Sequence, residues 1–144
     1  MSLADPTKKM SKSDENAKAT VFVLDQPGTV VKKFKSAVTD SDMEVVYREG
    51  KDGINNLISI YSAVTGLSVE QIEKDFAGKG YGDFKQAVGE AVAEELRPVR
   101  EKYNELMKDK AYLEQCYRAG ADKALHFSQR TLDKVYKKVG FLPY

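Results

Sequence analysis

Residues 84–106 read FKQAVGEAVAEELRPVREKYNEL, and this stretch decides the fold class. Apolar side chains recur along it at intervals of three and four residues, which is the period of an α-helix with one buried face. Because proline lacks an amide hydrogen and clashes with the preceding turn, we expect Pro98 to kink or split the helix near Arg97. The positions that keep the helical period are Val88, Ala91, Val92, Leu96, Val99, Tyr103 and Leu106.

Two more helices are predicted upstream of this stretch. Apolar residues at helical spacing from Ile54 to Val64 predict an amphipathic helix that ends at Gly66. Ser68, followed three residues later by Gln71, forms a capping-box pattern that predicts a second, shorter helix. The helical period therefore extends well beyond residues 84–106.

The segment DQPGTVVKKFKSAVTD, residues 25–40, predicts a further helix. Asp25 is a candidate N-cap, and Pro27 suits the first turn. The lysines at positions 32, 33 and 35 are predicted to lie largely off the apolar stripe. Before this helix, the apolar run ATVFVL at residues 19–24 is too short to distinguish a strand or strand edge from other structure. The stripe itself consists of Val30, Val31, Phe34, Ala37 and Val38.

Two amphipathic segments follow residue 106, one over residues 112–117 and one over residues 121–139. Gly120 is predicted to separate them, and Gly140 to end the second. Alternating polar and apolar residues are almost absent after residue 40. The sequence therefore predicts an all-α fold, a small helical bundle.

Length and composition are those of one ordinary globular domain. A chain of 144 residues buries roughly 68–70% of the surface that its unfolded form exposes. Its mean hydropathy is −0.50, and no apolar run approaches the roughly 20 residues of a membrane span. The N-terminal sequence has no apolar stretch typical of a signal peptide. We therefore expect a cytoplasmic protein with no membrane partner.

The scarcity of two residue types excludes several kinds of site. The chain has one Cys, Cys116, and one His, His126. A zinc site of cysteines and histidines would lack ligands, and no disulfide can form within the chain. A nucleophile and histidine pair would have to use His126, which lies in a helical pattern with no nucleophile elbow nearby. We therefore predict no metal site and treat His126 as incidental.

The formal net charge of +1 conceals a segregation of charge along the chain. Residues 1–38 carry seven Lys and four Asp or Glu, residues 39–96 carry five Lys or Arg and twelve Asp or Glu, and residues 97–144 carry eleven and six. Such asymmetry can mark a face that contacts phosphates. It is equally compatible with helical faces that attract one another.

Candidate chemistry is concentrated in residues 9–13, KMSKS, which we call the lysine loop. Lys9 and Lys12 alternate with hydroxyl side chains in a polar segment without periodicity. Such a loop can close over a polyphosphate, because the ammonium groups neutralise phosphate charge while hydroxyls and amides donate hydrogen bonds. A segment rich in Lys and Ser is also typical of a solvated tail. The loop lacks the GxxxxGK[ST] pattern of a P-loop.

The lysine loop is identical to a signature motif of the class I aminoacyl-tRNA synthetases. Its setting, DPTKKMSKSDEN, together with the segments KKFKSAVTDSD, NNLISIYSAVTG, KGYGDFK and RAGADKA, resembles the C-terminal part of the bacterial tryptophanyl-tRNA synthetase family. The resemblance covers residues 4–142. Five segments in the same order make a more specific signal than the five-residue motif alone.

The resemblance implies roles for the lysine loop. Lys9 and Lys12 would contact the phosphates of ATP, bound with Mg²⁺, and are the candidate catalytic residues, Lys12 the stronger of the two. Met10, Ser11 and Ser13 would shape the same ATP-binding loop. In that family the tryptophan carboxylate attacks the α-phosphorus of Mg-ATP, and the aminoacyl group then passes to tRNA. The loop lysines would stabilise charge on the departing pyrophosphate.

The resemblance also implies a domain organisation and partners. Residues 1–40 would be the lysine loop and the last elements of an α/β nucleotide-binding catalytic domain, and residues 41–144 a helical domain that receives the anticodon of tRNA(Trp). The complete enzyme would be a homodimer that takes ATP and tryptophan. The basic last third of this chain, residues 97–144, offers candidate RNA contacts. They are Arg97, Arg100, Arg118, Arg130, Lys134, Lys137 and Lys138.

One departure from the family pattern is large. The complete enzymes carry a second ATP-binding motif with two histidines, and a single histidine cannot supply it. We therefore expect a C-terminal fragment that is catalytically inactive alone. Two alternatives remain. In the first, the chain is a stand-alone helical module, derived from a synthetase, that binds RNA or protein. In the second, it is an independent nucleotide-binding enzyme. A single exposed loop without a concave pocket does not favour the second alternative.

Overall fold

In the computed structural model, which describes residues 1–142, the chain forms six α-helices and, within that range, no β-strand. The all-α fold predicted from the sequence is confirmed there. The helices are α1 (Pro27–Lys35), α2 (Asp52–Thr65), α3 (Val69–Asp75), α4 (Tyr81–Glu95), α5 (Arg97–Leu106) and α6 (Lys110–Val139).

The chain divides into two compact units, and the boundary lies inside α5. The first unit comprises Met1–Arg100, and the second begins at Glu101. The boundary predicted at residue 40 falls within the first unit, where α1 packs along α4. Residues 1–40 are thus structurally continuous with the helices that follow them. The assignment of residues 1–40 and 41–144 to a catalytic and an anticodon-binding domain stays a prediction.

The core of the first unit lies where α1, α2 and α4 meet, with α3 packed on α2. Most of the apolar positions at helical spacing face inward there, as amphipathic helices require. Val38 is an exception, because α1 ends at Lys35 and the Val38 side chain is 52% exposed. The rings of Tyr61, Phe76 and Phe84 pack edge to face with centroids 4.8 to 5.8 Å apart, an arrangement that aromatic quadrupoles favour. The largest fully buried side chains are Val30, Phe34, Ile54, Leu57, Ile58, Ile72, Phe84 and Val88.

Residues 1–3 are bound to later parts of the chain by backbone hydrogen bonds. The Leu3 amide donates to the Ala19 carbonyl at 2.9 Å, and the Val38 amide donates to the Leu3 carbonyl at 2.8 Å. The Leu3 side chain is buried in the core. The Asn56 side-chain amide of α2 donates to the Ser2 carbonyl at 3.3 Å. The first residues are therefore an integral part of the first unit.

The start of α1 differs from the prediction. Gln26, not Asp25, is the N-cap, its side chain makes no capping hydrogen bond, and Pro27 is the first helical residue. The Asp25 carboxylate accepts hydrogen bonds from Phe22 and Lys33 instead. The preceding run at residues 19–24 forms no strand but a turn, in which the Asp25 amide donates to the Phe22 carbonyl at 3.0 Å.

The ends of α2 and α3 follow the sequence signals. Gly66 adopts a left-handed conformation, with φ 73°, after the last residue of α2, which is the usual role of glycine at this position. Ser68 caps α3 by accepting a hydrogen bond from the Gln71 amide at 3.3 Å. Both predicted boundaries are confirmed.

The long helical stretch divides as its proline indicates. α4 ends at Glu95, α5 starts at Arg97, and Pro98 lies in the first turn of the new helix, where its missing amide costs no hydrogen bond. The prediction of a break at Gly120 is wrong, because α6 runs through that residue to Val139. One glycine costs about 1 kcal/mol relative to alanine in a helix interior, which the surrounding helix formers offset.

A buried lysine fixes the irregular segment between α1 and α2, residues 36–51. The Lys51 ammonium donates to the Tyr81 hydroxyl at 3.0 Å and to the Glu44 carbonyl at 2.9 Å, and it pairs with the Asp42 carboxylate at 2.9 Å. The Tyr81 hydroxyl in turn donates to Asp40 at 2.8 Å. This network attaches the segment to the start of α4.

No helix among residues 1–142 combines the length and the apolar character that a membrane crossing requires.

Candidate functional site

The lysine loop lies in an irregular excursion of the chain that two backbone hydrogen bonds close at its base. The Ser2 amide donates to the Lys8 carbonyl at 2.7 Å, and the Leu3 amide donates to the Ala19 carbonyl at 2.9 Å. Ser2, Leu3 and Ala19 are buried. The loop therefore rises from a base that belongs to the core of the first unit.

The entry to the loop is a tight turn centred on Asp5. Its carboxylate accepts hydrogen bonds from the Thr7 hydroxyl at 2.6 Å and the Thr7 amide at 3.2 Å, and it pairs with the Lys8 ammonium at 3.0 Å. The hydrogen bond from the Thr7 hydroxyl is the main reason that the pKa of Asp5 falls to about 2, and the Lys8 ammonium lowers it further. The carboxylate that forms this turn is therefore ionised at neutral pH.

The return arm of the loop, residues 14–19, is built from successive turns. The Asp14 carboxylate accepts from the Asn16 amide at 2.8 Å, and the Asn16 side chain accepts from the Lys18 amide at 3.0 Å. Asp and Asn favour this geometry because their short side chains reach the backbone two residues on. The polar composition of DEN thus produces a defined turn.

Within the loop, the five residues divide between the core and the solvent. Met10 is half-buried and packs against the hydrophobic core. The Ser11 carbonyl accepts from the Asp14 amide at 3.2 Å, and the Ser11 hydroxyl accepts from the Ser13 amide at 3.3 Å. Lys9 and Lys12 are exposed, and among residues 1–142 neither ammonium has a hydrogen-bonding or ion-pair partner. The loop therefore presents two uncompensated positive charges on an anchored backbone.

Thr20, which directly follows the return arm, also holds the middle of the lysine loop. The Thr20 hydroxyl donates to the Ser11 carbonyl at 3.0 Å. Its own carbonyl accepts from the Lys33 ammonium of α1 at 2.7 Å. Lys33 also pairs with Asp25 at 2.6 Å and lies 4.7 Å from the centroid of the Phe22 ring. A chain of contacts thus runs from the helix to the loop.

The sequence did not predict this attachment, and the predicted position of Lys33 is wrong. The lysine is 8% exposed, whereas we predicted that it would lie off the buried stripe. Its spacing carries the signal, because Val30, Lys33, Phe34 and Ala37 follow the i, i+3, i+4, i+7 pattern of one helix face. Nearby Lys32 and Lys35 are exposed, as predicted.

Charge and hydrogen-bonding capacity fit the loop to an anionic ligand. Two free ammonium groups three residues apart can neutralise phosphate oxygens, and charge-assisted hydrogen bonds are roughly twice as strong as neutral ones. Within residues 1–142, no group of three or more His, Cys, Asp or Glu side chains is placed to hold a metal ion. His126 and Cys116 are exposed on α6.

A separate cleft of about 500 Å³ lies between residues 43–46 and residues 73–80. Glu44 and Glu73 line it together with one lysine, Lys79. The Glu73 carboxylate accepts a hydrogen bond from the Tyr47 amide at 2.7 Å, which joins α3 to the residue that follows the first lining segment. Two carboxylates against one ammonium make the cleft less suited to phosphate than the lysine loop.

The candidate RNA contacts of the basic last third differ in how free they are. Arg100 is buried and donates to the Ala93 carbonyl at 2.9 Å, while Arg97 pairs with Glu94 and Arg118 with Glu114. The remaining four side chains are exposed on α6 and make no ion pair with residues 1–142. They are Arg130, Lys134, Lys137 and Lys138.

Comparison with known proteins gives one family match. Residues 1–97 match the family described as tRNA synthetases class I (W and Y). The chain is 49% identical over 141 residues to a tryptophan–tRNA ligase of Listeria monocytogenes, covering 97% of this chain and 42% of the relative. It is 45% identical over 143 residues to the corresponding ligase of Clostridium perfringens, covering 99% and 43%. The chain thus spans less than half the length of these relatives.

Solved structures agree with the sequence relatives. A tryptophanyl-tRNA synthetase of Campylobacter jejuni, crystallised with ADP and tryptophan, aligns with a TM-score of 0.76 at 28% identity and covers 98% of this chain and 44% of that one. The enzyme of Mycoplasma pneumoniae aligns with a TM-score of 0.71 at 30% identity, covering 99% and 45%.

Proposed function

Because the chain belongs to the class I tRNA synthetase family of the tryptophan and tyrosine enzymes, we propose that it is the C-terminal portion of a cytoplasmic tryptophan–tRNA ligase. The complete protein activates tryptophan with Mg-ATP and transfers it to tRNA(Trp). This portion supplies the lysine loop to the first step and helical surfaces to the tRNA. It has no catalytic activity alone. The complete enzyme works as a homodimer.

The observation that carries the proposal is the geometry of the lysine loop. Lys9 and Lys12 are exposed on a backbone anchored at both ends, so their ammonium groups are free to meet a ligand without first breaking an ion pair. In the activation step, a carboxylate oxygen of tryptophan attacks the α-phosphorus of ATP. The bond from that phosphorus to the bridging oxygen breaks, and its electron pair leaves with pyrophosphate.

Charge development explains why lysines suit this step. Negative charge accumulates on the departing pyrophosphate as the bond breaks, so an ammonium group aimed at those oxygens binds the transition state more tightly than bound ATP. Met10 fixes the loop by packing on the core. Ser11 and Ser13 shape its turn. We assign Lys12 to the leaving phosphates, with Lys9 beside it.

The first test compares Lys12→Ala with Lys18→Ala in ATP–pyrophosphate exchange by the complete gene product. Lys18 is a matched control because it is also an exposed lysine of the same excursion. We expect Lys12→Ala to lower kcat about 100-fold, the usual effect of removing one transition-state donor, while KM for ATP changes less. Equal losses in kcat and ATP binding would contradict transition-state stabilisation.

Binding of tRNA is the second part of the proposal. Support comes from the four exposed cations of α6, which have no partner among residues 1–142. Each phosphate that a cation neutralises releases counterions, so the logarithm of the affinity falls linearly with the logarithm of salt concentration. Filter binding of this chain to tRNA(Trp) at low salt tests this part. Binding no better than to an unrelated acidic polymer would contradict it.

A pair of double variants sharpens the RNA test. Lys134→Gln with Lys137→Gln removes two free cations, whereas Arg97→Gln with Arg118→Gln removes two that are paired with glutamates. We expect the first pair to reduce the salt slope by roughly 1.5 and the second to reduce it less. If the complete gene product lacks exchange activity while this RNA binding persists, the alternative of a stand-alone RNA module is supported instead.

A further inference from the structure

The contact chain from α1 to the lysine loop suggests a function for a residue outside the loop. Thr20 is 7% exposed and Lys33 is 8% exposed, so both lie in the folded interior of the first unit. The Lys33 ammonium makes two hydrogen bonds, to the Thr20 carbonyl at 2.7 Å and to Asp25 at 2.6 Å. Burial of an ammonium is costly unless it is paired and hydrogen-bonded, and here both conditions are met.

The acceptors of Lys33 determine what it can position. Asp25 accepts from the Phe22 amide at 2.9 Å as well as from Lys33, so the turn at residues 22–25 is held to the helix. The hydrogen bond from Lys33 to the Thr20 carbonyl holds Thr20 in place. The Thr20 hydroxyl in turn donates to the Ser11 carbonyl at 3.0 Å. Ser11 stands between Met10 and Lys12. Displacement of Thr20 would therefore move the peptide next to the candidate catalytic lysine.

We propose that Lys33, acting through Thr20, is a positioning residue that holds the lysine loop in the conformation from which Lys12 reaches phosphate. Lys33 itself is buried behind the loop and does not touch the ligand. The structural part of this inference concerns loop geometry and stands without the reaction. Its catalytic part rests on the proposed function.

The other buried contacts of the loop support this division of labour. Met10 anchors the loop through apolar packing, which resists displacement but gives little directional control. Hydrogen bonds are directional, and the Ser11 carbonyl accepts two of them. The Asp14 amide donates at 3.2 Å within the local turn, and the Thr20 hydroxyl donates at 3.0 Å from nine residues away. Positioning of a charged group matters because a misplacement of about 1 Å can lower a rate about 100-fold.

The first experiment uses this chain and measures loop geometry by ¹H–¹⁵N NMR. Thr20→Val removes the hydroxyl at constant shape, and Thr20→Ser retains it. We expect Thr20→Val to shift the Ser11, Lys12 and Ser13 amides and lower their heteronuclear NOEs, with α2 and α4 amides unchanged. Thr20→Ser is expected to restore the native values. Loop amides that stay unchanged in Thr20→Val would overturn the inference.

A second pair of variants tests the link to the helix. Lys33→Met removes the ammonium and keeps most of the apolar stem, and Lys32→Met is the control because Lys32 is exposed on the same helix. We expect Lys33→Met to shift both the residue 20–25 amides and the residue 11–13 amides, and Lys32→Met to shift neither. Shifts confined to residues 20–25 would mean that Lys33 is only a structural residue and would overturn its role as a positioning residue.

The third measurement is ATP–pyrophosphate exchange by the complete gene product. We expect Thr20→Val and Lys33→Met to lower kcat about tenfold to 100-fold, with KM for tryptophan within about twofold of wild type. Rescue of kcat by Thr20→Ser would distinguish positioning from general destabilisation. Native kcat in both variants would overturn the catalytic part. A wild-type protein without exchange activity would refute the proposed function, and the NMR results would then decide the structural part alone.

Discussion

Gly89 of α4 is the residue at which the backbones of α1 and α4 approach closely. A Cβ atom at this position would lie 2.9 Å from the Cα atom of Val31 and 3.3 Å from the Cβ atom of Phe34. The first neighbour is backbone and can move only if the helix moves. The requirement for glycine here therefore comes from packing between helices, not from an unusual dihedral angle.

Replacement of Gly89 by alanine should destabilise the protein despite the higher helix propensity of alanine. Overpacking in a filled core typically costs about 1–3 kcal/mol, which exceeds the gain of about 1 kcal/mol expected from propensity. Urea unfolding followed by circular dichroism measures the difference. Gly82→Ala in the same helix is the control, because nothing lies within 4 Å of its added Cβ. A stability of Gly89→Ala equal to or above that of Gly82→Ala would show that the two helices separate easily.

Residue types and spacing explain which parts of the site the sequence could predict. Lys9 and Lys12 were identified because they belong to a contiguous motif, and Met10, Ser11 and Ser13 came with them. The resemblance to tryptophanyl-tRNA synthetases is confirmed by the family match and the relatives. The roles of the five residues stay predictions. The contacts that support the loop were not predicted, because their partners are distant in sequence. Thr20 lies 9 positions from Ser11, and Lys33 lies 13 positions from Thr20.

At the scale of elements, the irregular segment at residues 36–51 is held by one cation with several acceptors. Lys51 is 4% exposed, whereas the other cation on Asp42, Arg48, is exposed. Removal of a buried ammonium leaves its hydrogen-bond acceptors without a donor. An exposed ion pair contributes little to stability, because water competes for both charges. The contact of Lys51 with the Asp42 carboxylate and that of Arg48 with the same carboxylate should therefore differ in strength.

Lys51→Met is expected to lower the free energy of unfolding by about 2 kcal/mol, because charged hydrogen bonds to Asp42 and Tyr81 are lost together. Arg48→Met is the matched variant, since it removes the other cation from the same carboxylate, and should cost about 0.5 kcal/mol or less. Thermal and urea unfolding of both variants provide the measurement. Equal costs would mean that burial of Lys51 adds nothing to its pairing.

The same cluster predicts a pH dependence whose direction follows from the pKa shifts. The hydrogen bond from Lys51 lowers the pKa of Asp42, so this carboxylate stabilises the fold above its unfolded pKa and loses that contribution as the pH falls through its lower folded pKa. Burial opposes the charge of Lys51, but hydrogen bonds with Tyr81 and Asp42 outweigh it and raise the pKa of Lys51. Its contribution is complete below the unfolded pKa and is lost as the pH rises through the folded one.

We therefore expect the urea midpoint of the wild-type chain to fall below about pH 4 and above about pH 10.5. In Lys51→Met both changes should be smaller, because the variant lacks the pairing that shifts these groups. Unfolding curves at about pH 3, 7 and 11.5 test this, since the last value lies above the ordinary pKa of lysine. Parallel pH profiles of the two proteins would assign the dependence to other groups.

Helix boundaries were predicted well where they depend on local chemistry and poorly where they depend on contacts. Gly66, Ser68, Pro98 and Gly140 act on the backbone beside them, and each marks a helix end or start as predicted. Asp25 is of a residue type that commonly caps helices, yet its carboxylate accepts a hydrogen bond from Lys33 instead. Lys33 lies further along α1, so a prediction based on capping residues alone does not take its contact with Asp25 into account.

At the scale of the whole molecule, the hydrophobic core belongs to the first unit. Its buried members run from Leu3 to Ala93, and the described residues of α6 contribute none that is buried. Stability of the core is therefore expected to depend little on residues after the end of α5. The second unit, which begins at Glu101, has local contacts of its own, such as the Arg118 and Glu114 pair.

A chain truncated after Leu106 should retain a cooperative thermal transition with a midpoint within roughly 5 °C of the full chain, a change of about 1 kcal/mol. Near-ultraviolet circular dichroism of the packed Tyr61, Phe76 and Phe84 rings measures native packing. Loss of that signal on truncation would mean that the core requires residues after 106.

The position of residues 1–3 between Ala19 and Val38 has a consequence for synthesis on the ribosome. Leu3 is made before the groups that bind this segment, because its backbone partner Val38 and the Asn56 amide that holds Ser2 are made 35 and 54 residues later. At roughly 5–20 residues per second, this interval lasts on the order of seconds. Throughout it, the apolar side chain of Leu3 has no completed core to enter, so residues 1–3 stay exposed to chaperones and proteases until α2 has been made.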